Sequence, residues 1–166
     1  MRLEKTYEPV SDNTVTTNED IVKILTVFSE YKKLSPSLIE GLIDYISSNM
    51  IFFDLNMYAD LTAIFCMSTP KSVCDQFLNL AQDKIVANIK YCNDKLYFRF
   101  LYCFMKAKVD DMATIDNFAL AFMNNHADFS NKLFLRSLVL LNNAENLSIK
   151  SKMYSEVEDD LSHRFK

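Results

Sequence analysis

The sequence predicts an all-α protein, a right-handed α-solenoid of stacked helical hairpins with about four units of about 37 residues. Three observations predict it. The 166-residue chain has one glycine and three prolines. Tight β-hairpins and phosphate-cradling loops need glycine where φ is positive, so a many-stranded sheet, a P-loop or a dinucleotide fingerprint is nearly excluded. Apolar residues recur at helical spacing almost to the end of the chain. The pattern also repeats: Phe28, Phe65, Phe104 and Leu141 stand 37, 39 and 37 residues apart.

Residues 1–16 are polar, contain Pro9 and lack periodicity, and read as a flexible arm. The helical domain spans 17–166. "TTNED" opens it, with Thr17 or Asn18 as the cap and Glu19 and Asp20 at the positive end of the helix dipole.

The first helix of each unit carries three apolar columns at i, i+4 and i+7. The earliest holds Ile21, Tyr58, Tyr97 and Phe134; the next Leu25, Thr62, Leu101 and Leu138; the last Phe28, Phe65, Phe104 and Leu141. Second helices follow. Ser35–Pro36 starts one and Thr69–Pro70 another, each proline at the first helical position, and Asp110 caps a third. Their stripes are Ile39, Leu42, Ile46; Cys74, Phe77, Ala81; Ile115, Phe118, Phe122; and, more weakly, Tyr154, Val157, Leu161. The charged tail "EVEDDLSHRFK" reads as a polar terminal cap. "KLYFRFLYCFMKAK", Lys95 to Lys108, is apolar nearly all round. A first helix in the third of four units is covered by its own partner and by both neighbouring units, and needs that composition.

Composition bounds function. The length fits one domain able to bury roughly 70% of its unfolded surface. The net charge of −4 and pI of about 5.2 weigh against gripping nucleic acid over the whole surface. Cys66, Cys74, Cys92 and Cys103 lie in apolar surroundings and read as reduced, buried thiols, a Cys66–Cys103 disulfide being the alternative. No run spans a bilayer, so no membrane insertion is expected. The N-terminus lacks the apolar region of a signal peptide.

A helix–turn–helix unit of about 37 residues with the Phe28/Phe65/Phe104 column resembles the heptatricopeptide and pentatricopeptide-like repeats of organellar proteins. The likeness extends over roughly 18–165. It implies a non-enzymatic scaffold in a mitochondrial assembly, foremost a mitoribosome, contacting other protein subunits and rRNA. The alternatives are an adaptor of an ATP synthase or respiratory complex, or an independent RNA-binding factor. Mitochondrial placement follows from the resemblance, with a cytoplasmic protein as the alternative.

The polar column two residues into each first helix holds Lys23, Asp60, Arg99 and Arg136. With Lys106 and Lys108 these cations form a candidate strip for RNA or an acidic partner; a solvated helix face is the competing reading. Tyr58, Tyr97 and Tyr102 read as core, with Tyr31 and Tyr91 freer to stack on bases. His126 and His163 have no ligand cluster around them, so no metal or other cofactor is expected. No nucleophile elbow or paired-carboxylate setting stands out, so neither an active site nor a small-molecule substrate is expected.

Overall fold

The computed structural model describes residues 17–30 and 35–166, without the side chains of Phe28, Glu30 and Pro36. The expected arm at 1–16 lies outside them. The described chain is all-helical, with eight α-helices and no strand. They are α1 (Asn18–Glu30), α2 (Pro36–Asn49), α3 (Leu55–Ser68), α4 (Lys71–Asn88), α5 (Asp94–Lys106), α6 (Met112–Asn125), α7 (Asn131–Asn142) and α8 (Lys150–Arg164).

Local chemistry starts most of them. Thr17 and Asp20 cap α1 reciprocally: the Asp20 N–H donates to Thr17 Oγ1 at 3.2 Å and the Thr17 N–H to Asp20 Oδ2 at 3.1 Å. Ser35, Asp54, Asn93 and Asp111 each accept from the N–H three residues on, in α2, α3, α5 and α6. Two starts differ from expectation. The cap of α6 is Asp111, not Asp110, because Asp111 holds the extended backbone from which a carboxylate reaches Thr114 N at 2.8 Å. At α4 the helix begins at Lys71, with Pro70 flanking it. The Thr69 hydroxyl turns back and donates to Phe65 O at 2.6 Å, satisfying an orphan carbonyl at the end of α3.

Short 3-10 turns at Met50–Phe52, Ile89–Tyr91 and His126–Asp128 join α2 to α3, α4 to α5 and α6 to α7. After each comes one buried residue, Phe53, Cys92 or Phe129, whose N–H donates back to the first residue of the turn. The stretches "FFDLNMY", "YCNDKLY" and "DFSNKLF" carry this device.

The odd helices lie in chain order, α3 between α1 and α5, and α5 between α3 and α7. The even helices do likewise, α4 packing on α2 and α6, and α6 on α8. Polar ties connect successive even helices and loops: Gln82 Nε2 donates to Thr114 Oγ1 at 2.8 Å, and Asn125 Nδ2 to Lys90 O at 2.7 Å. The core runs between the two rows. Leu25, Phe65, Leu101, Phe104, Leu138 and Leu141 are all buried in it, while the Phe28 side chain lies outside the described residues. Phe65 stacks on Phe77 at 4.6 Å, linking α3 to α4. Tyr97 is fully buried, its ring 5.2 Å from Phe129 and its hydroxyl donating to Phe118 O at 2.8 Å. That bond removes the cost of a dry hydroxyl. On the last second helix Met153, not Tyr154, is the buried residue, because Tyr154 turns outward to Asn142.

Depth in the row decides burial. Leu61 and Ile64 of α3, and Phe100 and Cys103 of α5, are buried. The matching positions of α1, Ile24 and Val27, are each 51% exposed, since no helix precedes α1 among the described residues. At the other end a single side chain ties α8 to the α6–α7 connection. Arg164 of α8 donates to the carbonyls of His126, Ala127 and Phe129 at 2.6–2.9 Å, and its guanidinium lies 4.7 Å from the Phe134 ring. Asp160 Oδ2 stands 2.7 Å from His126 Nδ1 and 2.8 Å from Arg164 Nε. The latter contact is an ion pair without hydrogen-bond alignment.

Candidate functional site

Helices α5 and α7 lie side by side, and their outer faces differ from the rest of the surface. Lys95, Arg99 and Lys106 of α5 and Lys132 and Arg136 of α7 are all exposed. The one carboxylate on these helices is Asp94, and α7 has none. Asp94 is occupied at the helix ends, accepting from Ser130 Oγ at 2.8 Å and Ser130 N at 3.1 Å. Burial works to raise its carboxyl and these bonds outweigh it, so it sits below the ordinary Asp range. A chain of net charge −4 therefore gathers five cations on two adjacent helices.

Between them opens a groove of about 570 Å³, lined by Phe98, Tyr102, Leu135, Arg136, Val139 and Leu140. Phe98 and Tyr102 stack with centroids 6.0 Å apart and an interplanar angle of 27°. Lys106 Nζ lies 5.8 Å from the Tyr102 ring centroid. Leu135 and Val139 remain 38% and 55% exposed. Arg136 has no ion-pair partner among the described residues.

The residues singled out in the sequence fall in several places. Arg99, Lys106 and Arg136 lie on this face. Lys23 is on α1, in another part of the row, and pairs with Glu19 at 3.8 Å. Asp60 stands between, bound to Arg99. Lys108 lies just beyond α5 and lines a separate cleft of about 370 Å³ with Met105, Val109 and Asp110. Its φ of 55° marks the left-handed residue of a helix-ending turn. There Lys108 N bonds Met105 O and Val109 N bonds Phe104 O. Tyr91 is 71% exposed beside Lys90, away from the groove, and Tyr31 lies outside the described residues.

Lys95, Lys132, Phe98, Leu135 and Val139 belong to the face and were missed. The signal was present: Lys95 and Lys132 stand one helical turn before Arg99 and Arg136. The four cysteines are free thiols. Cys74 Sγ is 3.4 Å from Cys66 Sγ, so the nearest thiol pair is Cys66–Cys74 rather than Cys66–Cys103. Burial pushes the Cys92 and Cys103 thiols up to about 11, which keeps them protonated at neutral pH. No group of three metal-ligating side chains occurs among the described residues, and no described helix is long and apolar enough to cross a membrane. The chain matches no protein-family model, no curated protein and no solved structure.

Proposed function

We propose that the chain is a non-enzymatic scaffold, a right-handed α-solenoid of four helical hairpins that holds protein partners inside a larger assembly. One observation carries this reading. Helices of matching sequence pattern lie in chain order in two rows, and one outer face of the first row gathers uncovered apolar and basic side chains. Stacked hairpins use equivalent positions of one helix to make an extended binding surface. Of the buried polar side chains, Thr114 accepts from Gln82 of the neighbouring even helix and Thr62 donates to Tyr58 O within α3.

The resemblance of the 37-residue spacing to organellar repeats supplies the setting. The assembly in this reading is mitochondrial: a mitoribosome first, an ATP synthase or respiratory complex second. Sedimentation of the tagged full-length chain through a sucrose gradient tests it. Co-migration with a large particle, surviving ribonuclease, is expected for a protein-held scaffold. Migration as a free monomer overturns the reading, and release by ribonuclease alone moves it to an RNA-binding factor.

A further inference from the structure

Resting on the scaffold reading, we propose that the α5–α7 groove is the docking site for an acidic amphipathic helix of a partner protein. Three observations identify the occupant.

The first is position. Leu135 and Val139 of α7 occupy the places that Phe98 and Tyr102 hold on α5, one 37-residue step earlier. On α5 those residues are half-buried beside α7. On α7 no described helix covers them, and both stay exposed. A helix laid in the groove covers them, with two or three apolar residues on one face seated over Leu135, Val139 and Leu140.

The second is charge. Arg136 lines the groove, Lys106 lies beside it at the Tyr102 ring, Lys95, Arg99 and Lys132 stand on the same two helices, and no carboxylate is among the lining residues. Within the protein the same column shows what answers such a cation: Arg99 reaches Asp60 on the neighbouring helix at 2.5 Å. Arg136 lacks that answer among the described residues, and a docked helix with a Glu or Asp in the column supplies it. A second copy stacking its α1 here would bring Lys23 into the column, against Arg136, which disfavours self-assembly through this face.

The third separates protein from nucleic acid. Bases bind through open aromatic faces. Here Phe98 and Tyr102 stack on each other and Lys106 lies against the Tyr102 ring. The floor that remains is aliphatic, which suits leucine or phenylalanine side chains.

The test uses the full 166-residue chain and three fluorescent probes read by anisotropy. The first is a designed peptide of about 18 residues, roughly 27 Å as a helix, with leucines at i, i+4 and i+7 and glutamates beside them. The second has the same leucines and lysines in place of the glutamates. The third is a poly(U) oligonucleotide of similar length. The acidic peptide is expected to bind, to weaken as salt rises, and to lose at least about tenfold in affinity in Arg136→Glu and in Val139→Glu. Asn79→Arg, on the exposed surface of α4, leaves binding unchanged. Both groove residues are exposed, and circular dichroism verifies that the variants keep their helix content. Absence of acidic-peptide binding, equal binding of the lysine peptide, tighter binding of poly(U), or binding indifferent to both groove variants overturns the proposal. The two readings fail separately. A chain that sediments with its assembly but ignores the acidic probe loses the docking site alone; one that binds the probe but sediments as a monomer loses the scaffold.

Discussion

Arg99 of α5 reaches back to Asp60 of α3, Nη1 to Oδ1 at 2.5 Å, joining two residues 39 positions apart that hold the same place on neighbouring helices. Read along the chain, Asp60 interrupts a cationic column; in space it neutralises one member of it. The side chains are 44% and 38% exposed, so solvent screens the pair and its stabilising contribution is at most about 1 kcal/mol. A double-mutant cycle with Asp60→Asn and Arg99→Gln, followed by urea denaturation, is expected to give a coupling of about 0.2–1 kcal/mol. A coupling above about 2 kcal/mol would show that the pair governs packing rather than charge.

Position in the row predicts unequal costs for like substitutions. Leu61→Ala removes a side chain that is fully buried, at an expected cost of about 2–5 kcal/mol. Ile24→Ala, at the matching position of α1, removes one that is 51% exposed and costs about 1 kcal/mol or less. Equal shifts of the urea midpoint would mean that Ile24 is covered in solution.

Lys108 holds a backbone conformation natural to glycine, with φ at 55°. Lys108→Gly keeps both hydrogen bonds of the turn and relieves the clash of the side chain with its own backbone. A gain of about 1 kcal/mol is expected, and Lys108→Val is expected to lose about as much. A glycine variant that melts earlier than the parent would refute the cap.

Arg164 holds the last helix through one guanidinium that donates to three carbonyls and to Asn131 Oδ1. Arg164→Ala is expected to cost about 2–3 kcal/mol. Hydrogen exchange should then accelerate across 150–164 before any other helix. Arg164→Lys should not rescue it, because an ammonium lacks the planar fork that spans these acceptors. Rescue by lysine would reduce Arg164 to a point charge.

Acid should loosen the helix starts and the terminal clamp together. The Thr114 bonds hold the Asp111 carboxyl below its ordinary value. At Asp94 and Asp160 burial works to raise the carboxyl, but the Ser130 bonds at the first, and the His126 hydrogen bond and the Arg164 charge at the second, outweigh it. These groups are depressed in the folded state, so the unfolded chain binds protons first as pH falls. Their stabilisation is complete above about pH 5 and declines as pH drops through the lowered folded values, below the ordinary 3.8. Asp94→Asn with Asp111→Asn keeps acceptors at both places and should flatten the dependence of the urea midpoint between about pH 5 and about pH 2.5. An unchanged slope would assign acid sensitivity to other carboxylates.

Much of this fold was legible along the chain, because helix signals are local. One glycine, proline-marked starts and apolar residues at 3.6-residue spacing give the eight helices of the described residues without reference to distant partners. The columns of Tyr58 and Tyr97, and of Phe104 and Leu141, give the buried sides. Errors arose where local chemistry left a choice open. Asp110 and Asp111 are both carboxylates, and only backbone geometry selects the second; Thr69 has a hydroxyl suited to capping forwards or backwards, and the end of α3 claims it.

The candidate face was less legible, since charge has meaning only beside its neighbours. Arg99 and Arg136 read alike in the sequence, but Asp60 takes one and leaves the other facing a groove. By itself the sequence determined helices, their buried sides and their spacing, because those follow from backbone propensity and the aversion of apolar side chains to water. Tertiary structure alone decided which equivalent positions are covered and which cations are already answered, because both depend on what the next helix brings within a few ångströms.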